Sequence, residues 1–419
     1  MVLAGLCAVI CGVSASAGFA EQKEAPRNLS DFVLGFNAHS IQERDAPFLK
    51  AIGIHRLRLD LGWRYVSDEG GVVDPGHRGL QSIVDAPAWI DDPLVILGYG
   101  HPAFQNGGRP STPEARRAYV AYALASAEKL HSKTKLFEVW NEWNVAGMGR
   151  TPMEEGVGKP EDYAALLAET YAALKARFPD LVVLGGAMGG IGADDDYLPR
   201  AIKAGMLRSL DGLSIHPYFY GAKDPLRLPE IAIPARMSQL AEWLQAAPGG
   251  ADTPLYVTEL GWPTYGEGFG VTPDEQADFM VRSVLLLACY RQVRGVWLYE
   301  FRDSGQAPGE REHHFGIVAS DGTPKPAYHL LGEAASLLSQ ALSIERISNP
   351  SGDRVVTMRC AMKDGSEAWI CWTTYPGETA RVSLRSGRDA STWLEKNAGN
   401  RPVILRGSSG GLIVVGEKS

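Results

Sequence analysis

Leu136-Phe137-Glu138-Val139-Trp140-Asn141-Glu142-Trp143-Asn144 is the stretch on which the fold turns. An apolar run of strand length ends in an amide and a carboxylate set among aromatics. In a parallel βα barrel, the residues at the carboxyl ends of the strands carry the chemistry. The pattern recurs further along, at Leu255-Tyr256-Val257-Thr258-Glu259-Leu260-Gly261-Trp262-Pro263-Thr264. Two glutamates at the ends of two separate strands form the kind of pair in which one carboxyl moves a proton and the other attacks.

Outward from these stretches, apolar runs of strand length recur at residues 32–38, 55–61, 94–99, 136–140, 181–185, 212–218, 255–259 and 295–301. Helical patterns separate them. Thr112-Pro113-Glu114, Pro160-Glu161-Asp162 and Thr272-Pro273-Asp274-Glu275 read as helix starts with Pro at the first turn. Strand alternating with helix in this way predicts an α/β chain, a closed (β/α)8 TIM barrel over residues 21–341. An open doubly wound sheet is the competitor. Gly35-Phe36-Asn37, after the first strand, is not a phosphate-binding glycine loop. After the helix that follows Lys325-Pro326 the composition shifts to short strands with hairpin turns at Asp364-Gly365 and Ser386-Gly387-Arg388. This predicts a small β-sandwich domain over residues 342–419. Its expected role is to pack on the barrel, with sugar binding as the lesser alternative.

The chain has 419 residues, room for one barrel and a minor domain. Net charge is −8 and no basic block occurs, so nucleic acid is not an expected partner. Residues 1–20 carry no charged side chain, and small residues follow the apolar run at Ser14-Ala15-Ser16-Ala17. They read as a signal peptide of a secreted or periplasmic protein, with no stable membrane insertion after cleavage. Cys7 and Cys11 would leave with it. Cys360 and Cys371 flank the Asp364-Gly365 turn, and a disulfide between them is left open. No cysteine or histidine spacing suggests a metal site. No metal and no cofactor is expected, and the sequence does not give an oligomeric state.

Taken alone, a Glu at a strand end is more often a surface residue or a cap. Company changes that reading. Trp140, Asn141 and Trp143 surround Glu142, and Trp262 follows Glu259. Aromatic faces stack on sugar rings, and an amide beside an acid can hold a ring hydroxyl. Paired carboxylates are what glycoside hydrolysis requires.

Trp140-Asn141-Glu142 resembles the strand-four acid/base motif of clan A glycoside hydrolases. Thr258-Glu259-Leu260-Gly261-Trp262 resembles the strand-seven nucleophile motif of that clan. His216-Pro217-Tyr218 is similar to its His-x-Tyr on strand six. Arg58, within Arg56-Leu57-Arg58-Leu59-Asp60-Leu61-Gly62-Trp63, is similar to its strand-two arginine. The nearest pattern is that of family 39 and its PslG-type exopolysaccharide-processing relatives. Trp143 stands where many members have Pro. At strand eight, the usual substrate-facing Trp is either Trp297 or shifted along Val296-Trp297-Leu298-Tyr299.

The resemblance implies a retaining β-glycosidase with Glu142 as acid/base and Glu259 as nucleophile. Tyr218 would hydrogen-bond Glu259, Arg58 would favour its charged form, and Asn141 would bind the sugar 2-hydroxyl. Arg58 has a second possible partner in Glu138, which strand alternation points into the barrel, and a buried Glu needs one. His216 reads as a structural hydrogen-bonder. Trp63, His101, Trp143, Trp262 and Trp297 are further substrate-binding candidates, with Tyr99 and Tyr265 beside them. The expected partner is a polysaccharide or oligosaccharide. Long aromatic loops after strands six, seven and eight favour endo-action, with an exo-acting β-xylosidase type as the alternative. A metal hydrolase on the same barrel and a non-catalytic carbohydrate-binding barrel are the rival classes.

Overall fold

The computed structural model describes residues 26–146, 156–190, 196–347, 354–386, 392–407 and 412–416. The expected leader over 1–20 and the turn residues Gly387 and Arg388 lie outside them. Among the described residues, no helix is long and apolar enough to cross a membrane.

Eight parallel strands close into a barrel. They are β1 (Val33–Asn37), β2 (Arg56–Gly62), β3 (Leu94–Gly98), β4 (Leu136–Val139), β5 (Val182–Gly189), β6 (Gly212–His216), β7 (Leu255–Val257) and β8 (Val293–Leu298). One helix follows each: α1 (Ala46–Ala51), α2 (Arg78–Val84), α3 (Pro113–Leu130), α4 (Pro160–Arg177), α5 (Tyr197–Lys203), α6 (Pro229–Gln245), α7 (Pro273–Ala288) and α8 (Pro326–Gln340). The expected N-cap residues of α3 and α7 do cap: Thr112 accepts from the Ala115 amide, and Thr272 and Glu275 form a capping box. The loop after β6 is shorter than its composition suggested, because α6 begins at Pro229 and carries Pro234 inside it.

Alternation along the strands sorts the barrel interior into layers. Val33, Leu94, Leu136, Val182, Leu184, Tyr256 and Trp297 fill the amino-terminal floor. Gly35 and Gly295 make room there: a Cβ on either would lie 2.5 Å and 2.7 Å from the Trp297 ring. Above this plug the interior turns polar, with Asn37, Arg58, Glu138, Ser214 and His216 all buried.

After α8 the chain forms two antiparallel sheets. Strands β9 (Ala341–Arg346), β10 (Val355–Met362), β11 (Glu367–Thr373) and β14 (Val403–Gly407) make one, joined at its edge by the short N-terminal strand Arg27–Asn28. Strands β12 (Ala380–Ser386), β13 (Thr392–Ala398) and β15 (Leu412–Gly416) make the other. Trp369, Cys371, Val382, Ala398 and Leu405 pack between them, as in a sandwich. The strands β9 and β13 are not evident in the sequence pattern.

Cys360 and Cys371 are free thiols. The hairpin closes on a three-residue loop, with Met362 N–H donating to the Ser366 carbonyl and Gly365 left-handed at φ 83°. That pairs Cys360 with Ala368 and Cys371 with Thr357. One residue of register moves a side chain to the other face, so the two thiols point away from each other. Burial pushes both up to about 12, which keeps them as unreactive thiols.

The sandwich packs onto the barrel core and meets it at a buried ion pair between two barrel helices. Arg282 of α7 makes a two-pronged contact with Glu230 of α6, and Trp372 of β11 donates its indole N–H to Glu230 Oε1 at 2.6 Å. Arg282 also donates to the Thr374 carbonyl at 3.2 Å.

Candidate active site

At the end of β4 the backbone leaves strand geometry. Trp140 (φ 68°) and Glu142 (φ 50°) are left-handed, a conformation that costs non-glycine residues of order 1–3 kcal/mol each. Neighbouring strands hold it: Trp140 N–H donates to the Leu97 carbonyl at 3.0 Å, and Glu142 N–H to the Ala187 carbonyl at 2.9 Å. The consequence is chemical. In a plain strand Asn141 and Glu142 would face opposite ways. Here both face the barrel mouth, and Trp140 turns outward against Tyr119 and Trp143.

Arg58 of β2 lies beneath them, fully buried. Its Nε donates to Glu138 Oε2 at 2.7 Å and its Nη2 to Asn141 Oδ1 at 2.8 Å. Nη2 also lies 2.5 Å from Glu138 Oε2. Nη1 serves Asn37 Oδ1 at 2.7 Å and Glu259 Oε1 at 2.5 Å. The two partners weighed for Arg58 in the sequence are therefore both made.

Glu259 stands two residues past β7. Its Oε2 accepts from the Tyr218 hydroxyl at 3.0 Å. Burial pushes this carboxyl up, but His216, Arg58 and Tyr218 outweigh it and hold it below the usual range. Burial and the charge of Glu259 push the Tyr218 hydroxyl well up, so it stays a donor. His216 joins the two glutamates, with Nδ1 2.9 Å from Glu142 Oε1 and 3.7 Å from Glu259 Oε2. Its Nε2 faces Thr258 Oγ1 at 3.1 Å. Whichever atom carries the shared proton, this contact fixes the Glu142 side chain. Gly189 leaves room for that side chain, since a Cβ there would lie 2.6 Å from Glu142 Oε1.

Ligand atoms of Glu142, His216 and Glu259 all lie within 4.8 Å of one another. Retaining glycosidases hold their carboxyls about 5–5.5 Å apart and inverting ones about 6.5–9.5 Å. An oxygen of Glu142 therefore comes within 4.8 Å of one of Glu259, closer to the retaining than to the inverting spacing. The same three groups could also take a cation. Against that, both Glu259 oxygens are already engaged, one of them by a guanidinium.

The chain shares its fold with family 39 glycoside hydrolases. A family 39 glycoside hydrolase from the gut symbiont Bacteroides cellulosilyticus matches with 23% identity over 93% of this chain and 81% of that one, at a TM-score of 0.71. A GH39 β-xylosidase from Caulobacter crescentus matches with 18% identity over 92% and 98%, at 0.59. A GH5_18 protein from Streptomyces cattleya, in complex with GlcNAc, matches with 18% identity over 75% and 81%, at 0.56. No protein-family model matches the chain, and no curated protein does.

The structure brings together Arg58, Asn141, Glu142, His216, Tyr218 and Glu259. It does not bring the other expected binding residues to the cleft. Trp63 is buried in a stack between Phe104 and Tyr122, and His101 packs beside it. Trp143 is buried against Tyr163 and donates to the Lys159 carbonyl. Trp262 is buried between Phe219 and Phe279. Trp297 belongs to the barrel floor. In each case the aromatic shell that steadies the site had been read as the face that meets substrate. Tyr299, two residues beyond Trp297, takes the upper position and packs edge-on against Tyr218 and His39.

A second polar group at the mouth was missed in the sequence. His39, just past β1, lies 2.9 Å from Asp60 and 3.2 Å from Glu300. Asp60 was legible, because alternation from Arg58 points it inward. His39 and Glu300 meet only in three dimensions. Hydrogen bonds donated to Asp60 and then to Glu300 raise the imidazole to about 10, against a smaller opposing effect of burial. The stability from this cluster is therefore fully present below an ordinary imidazole value near ~6.5 and is lost as pH rises through about 10. Proton NMR should find His39 charged at pH 8, and Asp60→Asn should bring its titration down. A neutral His39 at pH 8 contradicts the bridge.

Proposed function

We propose that the protein is a retaining β-glycosidase acting on a polysaccharide, with Glu259 as nucleophile and Glu142 as acid/base. The observation that supports this most is the pair of glutamates with oxygens within 4.8 Å of each other, of which only Glu259 is held by a guanidinium and a phenol. Two carboxylates this close do not both ionise cheaply. Glu259 is gripped as the anion, which suits it to attack and leaves Glu142 for the acid/base role.

In the first step Glu259 attacks the anomeric carbon, the glycosidic C–O bond breaks, and the Glu142 proton passes to the leaving oxygen. In the second, water gives a proton to Glu142 and displaces Glu259 from the sugar. Asn141, fixed by Arg58, offers its amide N–H to the 2-hydroxyl of that sugar.

Endo-action is the reading favoured by the long loops after β7 and β8, with Phe269 55% exposed on the first of them. The exo reading has its own support, since a fold relative is a β-xylosidase. Export to the periplasm or beyond belongs to the same proposal, on the uncharged apolar residues 1–20.

Incubation with a panel of neutral and acidic polysaccharides, read by mass spectrometry, tests the proposal. A ladder of oligosaccharides is expected. Monosaccharide alone means exo-action. Excess chelator should leave the rate unchanged, and its loss would favour a metal hydrolase built on Glu142, His216 and Glu259.

A further inference from the structure

We infer that Glu138 is a positioning residue that takes up the charge of Arg58, so that the negative charge of Glu259 is left facing the reacting sugar. This rests on the reading of Glu259 as nucleophile.

Arg58 is a single buried cation between two carboxylates. Glu138, itself fully buried, accepts the Nε N–H on Oε2, which also lies 2.5 Å from Nη2, while Glu259 accepts one Nη1 N–H. Asn37 and Asn141 take the rest. With His216 Nε2 3.5 Å from Nη2 as well, every nitrogen of the fork has a partner and its orientation is fixed. Paired with Glu259 alone, Arg58 would neutralise the nucleophile, and the sugar would meet a dipole. With Glu138 the trio carries one net negative charge. The transition state of glycosyl transfer has oxocarbenium character, so a net negative charge beside it stabilises it more than the neutral ground state.

The other groups facing this trio do not supply that balance. Glu142 (after β4) turns its Oε1 to His216 Nδ1 and not to Arg58. Tyr218 (after β6), Tyr99 (after β3) and Tyr299 (after β8) are phenols whose hydroxyls burial pushes well up, so they stay neutral. His216 (β6) is shared between the glutamates. Asp60 (β2) is engaged by His39.

Glu138→Gln is the test. Arg58 uses only Oε2, and Oε1 has no hydrogen-bond partner among the described residues. A Gln amide oxygen can therefore replace Oε2 and keep the bond from Nε. With the second negative charge gone, Arg58 acts on Glu259 alone. The acidic limb of the kcat/KM profile should move to lower pH by about one unit. The plateau should fall roughly 10–100-fold. A purely structural role gives the opposite sign: a loosened Arg58 would release Glu259, and the limb would move up. An upward or unmoved limb overturns the inference.

A measurement on the unaltered protein covers the case in which this variant does not fold. Carbon-13 NMR of labelled Glu should find Glu138 ionised at pH 7, and a protonated Glu138 overturns the inference. Failure of the underlying reading looks different: Glu259→Gln would then keep wild-type turnover, whatever Glu138 does.

Discussion

Glu259→Ala is expected to lower turnover by about 10⁴–10⁶-fold, because no covalent intermediate can form without the carboxylate. The fold should survive. Arg58 keeps Glu138, Asn37 and Asn141, so its charge stays compensated after the truncation. Glu142→Ala should behave differently. Substrates with a good leaving group need no proton, so they should still be cleaved. Added azide should speed the reaction by replacing the water that Glu142 would activate. A reversed pattern, with Glu142→Ala dead and Glu259→Ala rescued as described, means that the two roles are exchanged.

Glu230→Ala should be the most destabilising single change among the buried polar groups that join the sandwich to the barrel. Glu230 and Arg282 are both nearly inaccessible, so truncation leaves a buried guanidinium without its counter-charge. Breaking such a pair costs about 3–5 kcal/mol. The Trp372 indole would lose its acceptor as well. Trp372→Phe removes only that hydrogen bond and keeps the packing, so it should cost about 1–2 kcal/mol. Denaturant unfolding of the two variants checks the order. A loss below ~1 kcal/mol for Glu230→Ala would mean that the ion pair does not support the contact between the two parts.

The fold was legible wherever strand runs alternate with capped helices, because the periodicities differ and each cap has its own chemistry. The closed barrel, α3 and α7 were read from such signals. Strand ends were less legible. Glu259 lies two residues past β7, and Asn141 and Glu142 share one side only because Trp140 is left-handed. No propensity announces that turn. The six residues that meet at the site were named from their motifs. The five other candidates, Trp63, His101, Trp143, Trp262 and Trp297, are buried against neighbouring rings and the barrel floor. A Trp next to an acid looks alike in sequence whether it lies beneath the carboxylate or faces the sugar. Only the packing partners decide, and those come from distant helices and loops. The His39–Asp60–Glu300 cluster was hidden for the same reason, since its members belong to three strands.

The anomeric form of the first product tests the central claim most directly. On whichever β-linked polysaccharide of the panel is cleaved, proton NMR during the first minutes should show the β-anomer appearing first, with the α-anomer growing in only as the sugar mutarotates. That is the outcome of two displacements through Glu259. First appearance of the α-anomer would mean a single displacement by water and would contradict Glu142 and Glu259 as a retaining pair.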